Sequence, residues 1–217
     1  MKKTVTQKAV KVVVDALKFE GVLALPPDPK GIVLFAHGSG STHKSPRNQM
    51  VASFLHEEQI GTLLFDLLTP DEEKADSMTR ELRFNIPLLS HRLIEAAEWV
   101  GKQEDCRNLN LAFFGASTGA AAALIAASEM GNKVRAVVSR GGRPDLAGQS
   151  LARVRVPVLL IVGGADYGVI EINERAFDVL ECEKKFEIVQ DATHLFDEEG
   201  ALEEVGRMAA AWFSSHL

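Results

Sequence analysis

The segment Gly115-Ala116-Ser117-Thr118-Gly119 sets one hydroxyl among small residues, where an apolar run gives way to an alanine-rich one. Small neighbours let a chain turn sharply from strand to helix and project the central serine oxygen at a sheet edge. The amide of Thr118 then stands at a helix N-terminus, where it can donate to a developing oxyanion with the helix dipole behind it. A serine hydroxyl is a weak nucleophile near neutral pH and needs a base, usually a histidine held by a carboxylate. Asp166, in Gly163-Gly164-Ala165-Asp166, and His194, in Asp191-Ala192-Thr193-His194, each follow an apolar run. The chain order Ser117, Asp166, His194 is nucleophile, acid, base. Asp191 and Glu171 remain as alternative acids. Asp191 shares the loop of the histidine and Glu171 falls at a helix start, so both are less suited to reach the ring nitrogen that faces away from serine.

A second oxyanion donor is expected from His37-Gly38-Ser39-Gly40-Ser41, which follows the apolar run Gly31 to Ala36. The glycines let a backbone amide turn inward, and Ser39 is the favoured donor, with its hydroxyl or that of Ser41 as an auxiliary substrate contact. His37 reads as a structural residue of this loop. No Gly-x-x-x-x-Gly-Lys phosphate cradle and no His-Glu-x-x-His metal pair is present, so neither a cofactor nor a metal is expected. Arg80, Arg83, Arg140 and Arg143 each read first as solvated surface residues, any of them could meet a substrate anion, and Arg140, just beyond an apolar run, is the preferred exception.

The elements that must position these groups alternate between short apolar runs and helix-period segments from about residue 31 onward, the pattern of a mostly parallel sheet covered by helices on both faces. Ala9 to Val14 and Lys18 to Leu25 read as an antiparallel start. The central strands are expected at Gly31 to Ala36, Thr62 to Asp66, Leu109 to Phe114, Val134 to Ser139, Val158 to Val162 and Phe186 to Val189, near-continuous apolar runs suited to burial on both faces. Ser45 with Pro46 starts one helix, Pro87 another, and Thr118 to Met130 ends at Gly131. Two more helices carry Ile172 to Leu180 and Leu202 to Phe213. Leu67 to Asn85 is the one irregular stretch, readable as a flap, a surface loop or a short helix. Residues 140 to 156 leave little room for a large cap, so the site is expected to be open.

With 217 residues and 24 Lys plus Arg against 30 Asp plus Glu, the chain reads as a single α/β domain over 1–217 with a net charge of -6. That balance offers no field for nucleic acid or anionic lipid. Hydrophobic residues at 46% and charged residues at 25% exclude a disordered chain. Cys106 and Cys182 show no paired spacing and read as free thiols, which points to a reducing, cytoplasmic compartment. Lys11 and Asp15 interrupt the apolar run after Met1-Lys2-Lys3, against a secretory leader. The uncharged run Asn108 to Ser128 is long enough to span a bilayer, but its central Gly115, Ser117, Thr118 and Gly119 favour strand, turn and helix. No feature reports an oligomeric state.

Together, His37-Gly38-Ser39-Gly40, Gly115-Ala116-Ser117-Thr118-Gly119 and the loops of Asp166 and His194 resemble the α/β-hydrolase superfamily, nearer its dienelactone hydrolase-like members, over the chain from about Val10 onward. The resemblance implies the α/β-hydrolase fold without a large cap domain, a Ser117, Asp166, His194 triad and an oxyanion hole from the amides of Ser39 and Thr118. It is not specific for a substrate; the serine nucleophile and the open edge are what point to a carboxylic ester hydrolase acting on small ester or thioester substrates. Similar domains occur alone and fused to phosphoribosyltransferase domains, for which 217 residues leave no room. The chain departs from dienelactone hydrolases proper in having Ser117 where they use cysteine. It also has Leu195-Phe196-Asp197 where they place a substrate-binding arginine after the histidine, which argues against a dienelactone substrate. The competing class is a small-molecule receptor on the same fold.

Overall fold

The computed structural model describes residues 4–217, and Met1-Lys2-Lys3 lies outside them. The chain opens with a hairpin of β1 (Thr6–Val14) and β2 (Leu17–Leu25), whose two turn residues Asp15 and Ala16 both have positive φ, 46° and 69°. This is the backbone that matches a two-residue loop to the twist of its strands. Six further strands follow: β3 (Gly31–Ala36), β4 (Ile60–Phe65), β5 (Asn110–Ala116), β6 (Val134–Arg140), β7 (Val158–Gly163) and β8 (Lys184–Val189). They form one sheet in the order β1-β2-β4-β3-β5-β6-β7-β8. β2 pairs antiparallel with β1 and β4, and every pairing from β4 to β8 is parallel. The order reverses between β3 and β5, the switch point where open α/β sheets hold ligands beyond the C-terminal strand ends.

Alternation along the strands feeds two apolar layers. Ile32 and Leu34 of β3 face one layer with α3 (Ile86–Gly101), α4 (Thr118–Met130) and Ala176 of α5 (Tyr167–Val179). Val33 and Phe35 face the other, with α1 (Pro46–Glu57) and α6 (Ala201–His216). Fully buried Phe113 and Phe114 divide between the two layers, and each such side chain contributes roughly 1.5–3 kcal/mol relative to exposure. α4 is buried almost all round through Ala120 to Ala123, Ala126 and Ala127, small side chains that let it lie close on the sheet.

The irregular stretch Leu67 to Asn85 is a helix, α2 (Pro70–Thr79), and a 3-10 turn at Leu82–Phe84. α2 starts on a capping box in which Thr69 accepts from Glu72 N–H while the Glu72 carboxylate accepts from Thr69 N–H. Buried Asp76 accepts from the amides of Leu82 and Arg83 and from the Arg83 guanidinium, which pins the turn to the helix. Between β6 and β7 the chain makes only 3-10 turns over Pro144–Arg153, and no cap domain stands over the sheet edge among the described residues. No helix among them is long and apolar enough to cross a membrane.

Candidate active site

Ser117 sits between the last residue of β5 and the first of α4 with φ 51° and ψ -120°. A non-glycine residue held there costs about 1–3 kcal/mol and persists only where its surroundings over-determine it. Here they do. Ser117 N–H donates to Arg140 O at 3.1 Å, and Ser117 O accepts from Ala120 N–H at 3.1 Å and from Arg143 N–H at 3.0 Å. The flanking glycines are demanded by close approach. A Cβ at 115 would lie 2.4 Å from Ala120 Cα, and one at 119 would lie 2.1 Å from Ala36 O.

The loops beyond β7 and β8 are zipped together before they present their side chains. Gly164 N–H donates to Val189 O at 2.8 Å and Ala165 N–H to Ala192 O at 2.9 Å. Their closeness requires Gly163, whose Cβ would fall 2.3 Å from Ala192 O. Out of this seam Asp166 Oδ2 meets His194 Nδ1 at 2.6 Å. The carboxylate is mostly shielded, with 18% of the Asp166 side chain exposed against 39% for His194. Asp191 is exposed in the turn before the histidine, and Glu171 lies inside α5, paired on the surface with Arg175. The carboxylate in contact with the ring is that of Asp166.

His194 and Ser117 line one cleft of about 450 Å³ at the switch point. Ser117 Oγ makes no hydrogen bond to His194 among the described residues, an open spacing of the kind that tightens when substrate binds. Beside them, a Cβ on Gly38 would stand 3.0 Å from Ser117 Cβ, and Ser39 Oγ lies 3.1 Å from Thr118 Oγ1. The two residues expected to supply oxyanion amides are therefore neighbours next to Ser117, and no side chain caps α4 at that end. Ser41 lines the same cleft. His37 is buried and structural. Its Nδ1–H donates to Gly38 O and its Nε2 accepts from Leu67 N–H, both at 2.9 Å, and burial holds its pKa below the ordinary 6.5.

Arg140 also lines the cleft, at 8% exposure, and its Nε and Nη1 have no hydrogen-bond partner among the described residues. Burial, followed by the nearby charge of Arg47, pushes its pKa down to about 10, which leaves it protonated at neutral pH. The other arginines are engaged or remote: Arg143 forks onto Asp145 at 2.8 and 2.7 Å, Arg83 pairs with Asp76, and Arg80 closes α2 in the left-handed conformation. Among the cleft residues that the sequence reading did not single out is Arg47, which clasps Asp197 from the His194 loop at 3.0 and 3.3 Å. Elsewhere, Glu20, His43 and Asp66 bring ligand atoms within 4.8 Å of one another, though His43 Nδ1 and Asp66 Oδ1 already share a 2.8 Å hydrogen bond. A groove of about 470 Å³ between Lys8, Pro27 and Asp105 brings no nucleophile and base together.

Residues 29–204 match the family model of the alpha/beta hydrolase domain. The chain belongs to the α/β-hydrolase family. Within it, the chain is one of the dienelactone hydrolase-like members. A dienelactone hydrolase from Anabaena variabilis is 50% identical, with a TM-score of 0.96 over 98% of this chain and 99% of that one. A Mycobacterium tuberculosis protein named "Putative phosphoribosyl transferase" is 51% identical over 208 residues, 96% of this chain and 46% of that protein. This α/β-hydrolase chain thus spans about half the length of the curated relatives it matches. Est1E from Butyrivibrio proteoclasticus, 14% identical with a TM-score of 0.80 over 95% of this chain and 98% of its own, shares the fold.

Proposed function

We propose that this α/β hydrolase is a serine hydrolase that cleaves small esters or thioesters through an acyl-enzyme. The observation that carries the reading is the 2.6 Å contact of Asp166 with His194 in the cleft that Ser117 also lines. With Nδ1–H held by the carboxylate, the histidine turns its Nε2 lone pair toward the cleft as a base. Nε2 takes the proton of Ser117 as Oγ attacks the substrate carbonyl, and the amides of Ser39 and Thr118 receive the oxyanion, each such donor being worth about 3 kcal/mol in the transition state. His194 returns the proton to the leaving oxygen or sulfur. Water then attacks the acyl-serine with the same histidine as base, which releases the acid and restores Ser117.

Arg140 supplies a buried cation for an anionic group on the substrate, and Ser41 a hydroxyl along the same wall. The uncapped edge suits short polar substrates, and a serine nucleophile supports acyl chemistry over alkyl transfer, which requires a carboxylate nucleophile in this fold. The phosphoribosyl transferase name belongs to a protein of which this chain matches under half, and phosphoribosyl transfer is not proposed for this domain. Turnover of 4-nitrophenyl acetate tests the reading: Ser117→Ala should reduce kcat by about three to six orders of magnitude in a folded protein. Unchanged hydrolysis in that variant would overturn it and leave a small-molecule receptor.

A further inference from the structure

Asn173 lies in α5 with no exposed surface, although asparagine is mostly found at the surface. Its Nδ2 donates to Val169 O at 2.8 Å, one turn back, and to Gly142 O at 3.0 Å, 31 residues away. Both partners are carbonyls, which fixes the orientation of the amide, and its Oδ1 has no hydrogen-bond partner among the described residues. An apolar side chain of similar volume would avoid the cost of that buried oxygen. What asparagine adds is a directional grip on Gly142.

Gly142 belongs to a strap, residues 140–143, that touches Ser117 and His194 of the proposed relay and is bonded to the strand that leads to Asp166. Arg140 O and Arg143 N–H hold the two ends of the Ser117 peptide at 3.1 and 3.0 Å. A Cβ on Gly141 would stand 3.5 Å from His194 Cε1 and 3.3 Å from His194 O, so the strap runs along the edge of the imidazole. Gly141 N–H donates to Ile161 O of β7 at 2.8 Å, and β7 leads to Asp166. The strap is also seated tightly on its inner side, where a Cβ on Gly142 would fall 2.0 Å from Ser139 Oγ and 2.7 Å from Ala120 Cβ. At its other end α5 begins on Asp166, whose carbonyl accepts from Val169 and Ile170 at 3.0 Å each. The one side chain of α5 that hydrogen-bonds the strap is therefore on the helix that starts at the acid, and the strap holds the nucleophile.

Resting on the triad reading above, we infer that Asn173 is a positioning residue that sets the spacing of Ser117 from the His194 and Asp166 pair through Gly142. Ser117 Oγ and His194 are not in hydrogen-bond contact here, so the placement of the strap sets how far the two must move to meet when substrate binds. Misplacement on that scale is felt in the rate of the chemical step far more than in the binding of a small ester.

The test compares Asn173→Leu with Phe177→Ala, one turn further along α5, where Phe177 packs against the core and Phe186. Four readouts are taken: kcat and KM on 4-nitrophenyl acetate, the rate of fluorophosphonate labelling, the melting temperature, and hydrogen exchange at the Arg143 amide. Asn173→Leu should lower kcat and the labelling rate roughly 10- to 100-fold with KM within about twofold, and should speed exchange at Arg143. Phe177→Ala should lower the melting temperature while labelling per folded molecule stays within about threefold of wild type. If Asn173→Leu does not fold, Asn173→Ser is read by the same criteria. A labelling rate within about twofold of wild type, or a loss that follows melting temperature as in Phe177→Ala, overturns the inference. If the wild-type protein is itself not labelled, the serine hydrolase reading fails instead. Exchange at Arg143 then decides the strap alone, faster in Asn173→Leu supporting the grip and unchanged overturning it.

Discussion

Asp166 Oδ2 and His194 Nδ1 are 2.6 Å apart although 28 residues separate them in the chain, and the contact depends on two loops that are hydrogen-bonded to each other before either reaches the cleft. On the proposed triad reading, the carboxylate selects the tautomer in which Nε2 carries the lone pair. Asp166→Asn keeps the size of the side chain but can donate to Nδ1 and favour the wrong tautomer. Its kcat on an activated ester should fall about 10⁴-fold at neutral pH, with a melting temperature near that of wild type. A loss below about tenfold would remove Asp166 from the role of acid.

Much of this site is legible in the sequence because its parts obey local rules. Each expected strand is present, and the errors sit at the ends: β8 begins at Lys184 rather than Phe186, because an edge strand tolerates Lys184 and Lys185 where a central one would not. Gly115, Gly119, Ser117 and the two loops could be placed because a strand end, a sharp turn and a helix start are each written in adjacent residues. α2 was readable only through Thr69 and Glu72, since it buries Asp76 and no apolar stripe. Asn173 carries no sequence signal at all. An asparagine on an amphipathic helix reads as solvated, and its partner Gly142 becomes its neighbour only after β6, β7 and α5 have packed.

Arg140 brings a protonated guanidinium to the cleft with Nε and Nη1 unpartnered. For two esters that differ only by a carboxylate on the acyl chain, wild type should favour the charged one. Arg140→Gln should lower kcat/KM for it roughly 10- to 100-fold, the loss of a charged hydrogen bond worth about 1.5–3 kcal/mol, and leave the neutral ester within about threefold. Removing an incompletely paired buried charge should not lower the melting temperature. Equal losses on both esters would show that Arg140 shapes the cleft without reading charge.

His37 makes stability depend on pH. Burial holds its imidazole below 6.5 in the folded chain, and its Nε2 must stay unprotonated to accept from Leu67 N–H. Below 6.5 the unfolded chain takes up a proton that the folded chain refuses, so this contribution is present above 6.5 and is lost as pH falls toward the lower folded value. Denaturant unfolding from pH 7.5 down to 5 should show a declining midpoint, and His37→Gln should flatten that decline. A wild-type slope retained in His37→Gln would assign the dependence to other groups.

Gly119 has no space for a side chain, because a Cβ would stand 2.1 Å from the backbone oxygen of Ala36, which a rotamer change cannot relieve. Gly119→Ala should cost about 3 kcal/mol or more and disturb the elbow as well as the fold. Gly131→Ala meets no atom within 4 Å and strains only its own backbone at φ 55° and ψ -128°, so it should cost less, about 1–3 kcal/mol. Equal unfolding midpoints for the two variants would contradict the close packing of α4 on β3.

Fluorophosphonate labelling followed by peptide mapping tests the relay most directly, since the probe reacts only with a serine made nucleophilic by its base. The account predicts one modified site, Ser117, in wild type, no modification in Ser117→Ala, and a labelling rate reduced by about three orders of magnitude or more in a folded His194→Ala. Labelling of Ser117 that is as fast in His194→Ala as in wild type, or no labelling of the folded wild-type protein, would contradict it.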